Sequence, residues 1–265
     1  MSRILTALVA VPLLVLIILK APSWVFLALS LVFALVSFWE LTLLASKMDF
    51  QLHAIGYPLT ALAVTAFYPG FPGFLEISLS VLLLVGLAVV LSREPGRDAL
   101  GATAMTVFAV FYAGGLIGTV VGVRMAGQED FGRLWVFFLL AVVMMGDAGA
   151  FYIGRSFGKT ALAPRLSPKK TVEGLAGGLA LSTATAVFLR DIVVPGLSLA
   201  AALGLGISLA LVGLIGDLFE SLLKRSAGVK DSSSILPGHG GALDRIDSLL
   251  FAAPVLLLYL KWVAL

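Results

Sequence analysis

The sequence predicts an all-α fold, a polytopic membrane bundle of about nine transmembrane helices. Three observations predict it. First, 60% of the 265 residues are apolar, 12% are charged and the mean hydropathy is +1.08. An average soluble domain is about 45–50% apolar and about 25% charged, so one soluble core cannot hide this apolar mass. Second, the apolar residues form continuous runs without strand-like alternation. Third, several runs reach the ~20 residues that cross a bilayer as a helix, where every backbone polar group must be satisfied internally. A disordered or collagen-like chain is excluded. The absence of cysteine excludes disulfides, thiolate zinc sites, iron–sulfur chemistry and a cysteine nucleophile.

The spans are expected near residues 4–19, 23–45, 54–69, 74–91, 100–123, 134–154, 174–190, 194–218 and 248–264. The first follows Arg3 but ends in Lys20-Ala21-Pro22 without a small-x-small cleavage pattern, so it reads as a span and not as a cleaved leader. Breaks carry turn chemistry, as in Pro69-Gly70-Phe71-Pro72-Gly73 and Glu94-Pro95-Gly96. Spans three and seven are short, and Pro58 or several glycines interrupt them. On span five, Gly114, Gly118 and Gly122 form an i, i+4, i+8 stripe. Such a stripe serves close packing inside one bundle or a dimer face.

Nine spans place thirteen basic residues on the side of the N-terminus and five on the other. By the positive-inside rule the richer side is cytoplasmic. Residues 1–130 form an N-terminal transmembrane region of about five spans without a recognisable chemical motif. Residues 131–265 form a C-terminal region with two polar insertions on that cytoplasmic side, 155–173 and 219–247.

Charges inside apolar spans are expensive and point to function. Glu40, late in span two, is expected to snorkel to the interface. Asp147 lies mid-span among Gly146, Ala148 and Gly149, where small neighbours admit a ligand or a second backbone. Asp217, Ser221 and Lys224 fall at i, i+4, i+7, so one helical face carries an acid, a hydroxyl and an amine. Glu220 and Lys224 also have the spacing of an ordinary helix-end salt bridge.

The first insertion includes Ser167-Pro-Lys169-Lys170-Thr-Val-Glu173-Gly174. It reads as a helix start capped by Ser167, and amides with lysines at such a start suit phosphate. The same basic cluster also suits cytoplasmic anchoring or anionic headgroups. The second insertion carries Lys224, Arg225, Lys230, the turn Pro237-Gly-His239-Gly-Gly241, and Asp244, Arg245 and Asp247. Glycine there lets backbone approach a ligand, and a single histidine in such a turn serves either structure or catalysis. With Asp217, the pair Asp244 and Asp247 offers three carboxylates for one small volume. Hard oxygen donors without cysteine point to Mg²⁺.

The pattern Ser-x-x-Lys-Arg-x4-Lys-Asp-x5-Pro-Gly-His-Gly-Gly-x-x-Asp-Arg-x-Asp over residues 221–247 resembles the signature of phosphatidate cytidylyltransferases, the CDP-diacylglycerol synthases. Residues 147–159 and 167–174 agree with the same family. The likeness covers roughly the C-terminal half. It implies the reaction of CTP with phosphatidic acid to give CDP-diacylglycerol and pyrophosphate, in the bacterial cytoplasmic (inner) membrane. It also implies Mg²⁺, a K⁺ ion beside it, and a homodimer. The family's metal-binding acids map onto Asp217 and Asp244. On this reading Asp217, Asp244, Asp247, Lys224, Arg225, Lys230 and Arg245 are catalytic. Asp147, Ser167, Lys169, Lys170, Glu173, Ser221 and His239 then face substrate or phosphate. No nucleic-acid partner is expected.

Two other readings use the same residues. A transporter would employ Asp147 and Asp217 as ion sites, but no internal repeat is visible. A lipid kinase, or a CTP-using enzyme acting on another lipid, would share the headgroup chemistry.

Overall fold

A computed structural model describes residues 12–70, 73–91, 99–235 and 240–264 of the chain. Helix α1 covers residues 12–20. Pro22 ends it, having no N–H to donate, and α2 (Ser23–Ser46) starts at the next residue. The next helices are α3 (Gly56–Thr65), α4 (Phe74–Leu91) and α5 (Ala99–Ala109). A π-helical turn, Val110–Gly115, runs straight into α6 (Leu116–Arg124). Helix α7 (Glu129–Phe157) leads to a hairpin of β1 (Ala161–Ala163) and β2 (Ser167–Thr171). Helices α8 (Val172–Ile192), α9 (Leu199–Ser226) and α10 (Leu243–Tyr259) complete the chain, with a π-helical end at Leu260–Ala264.

Among the described residues, six helical stretches are long and apolar enough to cross a membrane: Ser23–Ser46, Ala99–Arg124, Asp130–Phe157, Val172–Ile192, Leu199–Ser226 and Leu243–Val263. The protein is an all-α, multi-pass membrane protein. The expected count of nine is not matched span for span. Helix α3 has ten residues, about 15 Å at 1.5 Å per residue, half of a ~30 Å hydrocarbon layer. Residues 4–11 of the first expected span, and the breaks at Phe71-Pro72 and Glu94-Pro95-Gly96, lie outside the described residues.

Two further expectations are corrected. Ser167 does not cap a helix; it opens β2, which pairs antiparallel with β1. The cap of α8 is Thr171, whose hydroxyl oxygen accepts from the Gly174 N–H at 3.1 Å. Helices α9 and α10 also reach further into the second insertion than the apolar runs suggest. Asp217, Ser221 and Lys224 all lie on α9, and Asp244 and Asp247 both lie on α10.

The chain divides into two compact units. One comprises Met1–Met125 with Leu223–Arg245, the other Ala126–Leu222 with Ile246–Leu265. In the first unit the glycine stripe faces α3. A methyl group on Gly114 would lie 2.6 Å from the Thr60 carbonyl oxygen, and one on Gly118 would meet Phe67 and the Ala63 carbonyl. These two glycines therefore serve packing within the bundle.

In the second unit α7 and α8 share a glycine seam. A methyl group on Gly149 would lie 2.6 Å from the Gly177 carbonyl oxygen, and one on Gly146 would touch Ser182. The buried Ser182 hydroxyl sits 3.2 Å from the Val142 carbonyl and 3.1 Å from the Gly206 carbonyl, joining α7, α8 and α9. Aromatic contacts tie in α10: Trp135 with Tyr259 at 6.0 Å and Phe219 with Phe251 at 5.6 Å.

Candidate active site

Each unit holds one polar cluster. In the second unit, glycine again sets the geometry. A methyl group on Gly216 of α9 would lie 2.5 Å from the Asp247 carbonyl oxygen of α10, and one on Gly213 would lie 3.5 Å from Ser248. This close approach brings the next α9 residue, Asp217, beside the α10 segment that carries Asp247. The Ser248 hydroxyl reaches across to α7 and donates to Asp147 at 3.3 Å. The Ser248 N–H donates to Asp247 Oδ1 at 2.7 Å. From β2, Lys170 makes an ion pair with Asp217. Three carboxylates and one ammonium thus share a neighbourhood, which attracts cations.

In the first unit, the centre is Asp244 at the start of α10. Its Oδ1 accepts from Lys224 Nζ at 2.5 Å. Its Oδ2 accepts from the Ser232 N–H and hydroxyl, both at 3.0 Å, and from the Gly241 N–H at 2.8 Å. The pair is nearly closed off: the side chains of Lys224 and Asp244 are 11% and 6% exposed. Gly240 sits at φ +82° beside this carboxylate, a conformation that favours glycine. The Arg225 guanidinium donates to the Val229 carbonyl at 3.0 Å and so closes the end of α9.

The remaining expected residues are placed as follows. Glu173 accepts from the Lys159 N–H at 3.1 Å and from the Thr160 N–H and hydroxyl at 3.2 and 3.1 Å, tying the α7–β1 connection to the first turn of α8. Lys169 is exposed on β2, and Lys230 and Arg245 are exposed in the first unit. Ser221 is buried on α9. His239, with Pro237 and Gly238, lies outside the described residues.

Reading the sequence misplaced one group and missed two. Glu40 does not snorkel: it is fully buried and accepts hydrogen bonds from Ser233, Ala242 and Leu243. Ser232, inside a run of three serines, and Ser248 are also engaged. For Glu40 the signal was present, a lone acid late in an apolar helix. For the serines no periodicity marks them.

No group of three or more acidic or histidine side chains among the described residues is gathered tightly enough to hold a metal by itself. Mg²⁺ does not need one, because it takes one or two carboxylates and completes its shell with water and substrate phosphates. In each unit taken by itself, the donors beside the lysine are oxygen atoms of that kind: the Asp217 carboxylate beside Lys170, and the Asp244 carboxylate with the Ser232 hydroxyl beside Lys224.

Residues 1–263 match the model of the cytidylyltransferase family. A phosphatidate cytidylyltransferase of Bacillus subtilis is 37% identical over 183 residues, which is 69% of this chain and 66% of that protein. The uncharacterized protein YnbB of Escherichia coli is 34% identical over 259 residues, 92% of this chain and 82% of that protein. A phosphatidate cytidylyltransferase of Helicobacter pylori is 46% identical over 125 residues, 47% of this chain and 46% of that protein. The chain thus spans just under two thirds of the Bacillus protein and about half of the Helicobacter one.

Proposed function

The chain belongs to the cytidylyltransferase family, and from that premise we propose that it transfers the cytidylyl group of CTP to phosphatidic acid. The lipid phosphate oxygen attacks the α-phosphorus of CTP. A new P–O bond forms, the bond between the α- and β-phosphates breaks, and pyrophosphate leaves. The second ionisation of a phosphate monoester falls near pH 6, at about the pKa of a phosphoamino acid. Phosphatidate is therefore largely dianionic at neutral pH and needs no general base. The obstacle is electrostatic: two highly charged anions must meet.

The observation that carries this reading is the pairing of both expected metal-binding carboxylates with lysines, Asp217 with Lys170 and Asp244 with Lys224. A carboxylate held by an ammonium keeps a buried charge compensated before substrate arrives. When phosphates enter, each lysine has a better anionic partner and its carboxylate is released. Lys170, Lys224, Arg225 and Lys230 then hold phosphate oxygens, and Arg245 orients the carboxylates. Asp217 and Asp244 are the proposed ligands of Mg²⁺, with Asp247 close by and a K⁺ ion as a second cation. Bound Mg²⁺ supplies charge neutralisation at the triphosphate and the leaving pyrophosphate.

The basic residues of the two polar insertions, which two candidate spans (Val172–Ile192 and Leu199–Ser226) separate and so return to one side, support active-site loops facing the cytoplasm of a bacterial inner membrane. The lipid tail then stays in the bilayer while CTP arrives from water. A homodimer is part of the same proposal. The test is nucleotide transfer by purified Asp217→Ala and Asp244→Ala variants. Loss of transfer in both is expected, and full activity in either overturns the metal assignment.

A further inference from the structure

Glu40 lies near the end of α2 and is 0% exposed. An enclosed carboxyl group is heavily penalised unless donors meet it. Here they do. Its Oε1 accepts from the Ser233 hydroxyl at 2.6 Å and the Ala242 N–H at 2.8 Å, and its Oε2 accepts from the Leu243 N–H at 2.8 Å. Those donors come from both ends of one segment, residues 233–243. Asp244 binds the same two stretches one residue earlier in sequence, taking Ser232 and Gly241. The successive amides of Gly241, Ala242 and Leu243 lead into α10, whose first N–H groups have no partner within the helix, and these two carboxylates take all three. Gly241 fits between them because a methyl group there would collide with Glu40 and with Ser232.

The geometry points to Glu40 as a positioning residue for nucleotide transfer: it ties Ser233 to Ala242 and Leu243 and so fixes Asp244, the next residue, against Lys224. An apolar side chain in its place would leave the Ala242 and Leu243 amides and the Ser233 hydroxyl without this acceptor, so Glu40 also serves stability, and kcat per folded enzyme is the readout that separates the two roles. The inference rests on the cytidylyltransferase reading, and it gives the N-terminal half a part in the chemistry.

The chain has no cysteine, so a nitroxide on Ser234→Cys, an exposed position within the segment, reports its order without background labelling. Glu40→Gln keeps the shape but turns one acceptor into a donor. It is expected to lower kcat about ten- to hundredfold, the weight of a hydrogen bond to a charged group. The KM for phosphatidate should stay within about twofold, and the nitroxide should gain mobility. Wild-type kcat, or a fall in kcat with an unmoved nitroxide, overturns the inference. So does a lower melting temperature with unchanged kcat per folded enzyme.

If Glu40→Gln does not fold, Ser233→Ala removes the hydroxyl that donates to Glu40, along with its weaker acceptance from the exposed Ile235 N–H at 3.2 Å. It should then reduce kcat about three- to tenfold with a more mobile label, and wild-type behaviour in both readouts overturns the assignment. If the unsubstituted protein transfers no nucleotide, the functional reading fails on its own. The nitroxide then still decides whether Glu40 clamps the segment.

Discussion

Gly216 is the position where one methyl group should separate chemistry from folding. A Cβ there would lie 2.5 Å from the Asp247 carbonyl oxygen and 3.1 Å from Phe251. Ordinary contact begins at 3.4 Å, so α10 must retreat by roughly 0.9 Å, an overpacking strain of about 1–3 kcal/mol. The obstacle is backbone on one helix and backbone on the other, so no side chain can rotate to relieve it. A misplacement of about 1 Å costs about a hundredfold in rate when reacting groups depend on it. Gly216→Ala should therefore fold, melt somewhat lower and lose about two orders of magnitude in kcat. The assay is transfer of label from CTP into lipid, in micelles containing phosphatidate, with melting followed on the same preparation. Gly204, on the same helix, has nothing within 4 Å of its would-be Cβ, so Gly204→Ala is the control and should keep wild-type kcat. Wild-type kcat in Gly216→Ala would refute the claim that this helix approach sets the spacing of Asp217 and Asp247.

Four other substitutions follow from the structure. Lys170→Met removes the partner of Asp217 and should cut kcat about 10²–10³-fold. Its melting temperature should barely move, because part-exposed pairs contribute only about 0–1 kcal/mol. Lys224→Met takes the ammonium from the nearly enclosed Asp244 carboxylate, and Asp244→Asn takes the carboxylate charge from Lys224; breaking such a buried pair costs about 3–5 kcal/mol at most. In denaturation the double variant should lose clearly less than the sum of the singles, while transfer stays abolished in all three. Thr171→Val deletes the cap of α8 and should cost about 1 kcal/mol, read as a small drop in melting temperature with kcat little changed.

Much of the fold is legible in apolar run length. The helix α2 predicted at 23–45 is found at Ser23–Ser46 because Pro22 punctuates the sequence where it punctuates the structure. Ends that hydropathy draws too early, as at 218 for α9, lie further on because charged residues continue the helix to Ser226. Hydropathy sees the membrane, not the helix. The β-hairpin escapes notice because Ser167-Pro-Lys-Lys-Thr looks like a cap followed by a basic first turn. Only the pairing with Ala161–Ala163 identifies it as a strand.

The site is legible where its residues are charged and close in sequence, as on α9 and α10. It is illegible where the partner is remote: Glu40 is 202 residues from Ala242. The role of Gly216 is hidden for a different reason. Sequence reports the absence of a side chain, but not which backbone comes near to take its place.

The central claim is cytidylyl transfer to a lipid phosphate, and the position of a label tests it most directly. Purified protein is given phosphatidate in micelles with Mg²⁺ and CTP labelled on either the α- or the γ-phosphate. The account predicts that the α-label enters the lipid fraction, that the γ-label leaves as pyrophosphate, and that chelation of the metal stops both. Entry of the γ-label into lipid, or no transfer of either label, would contradict it.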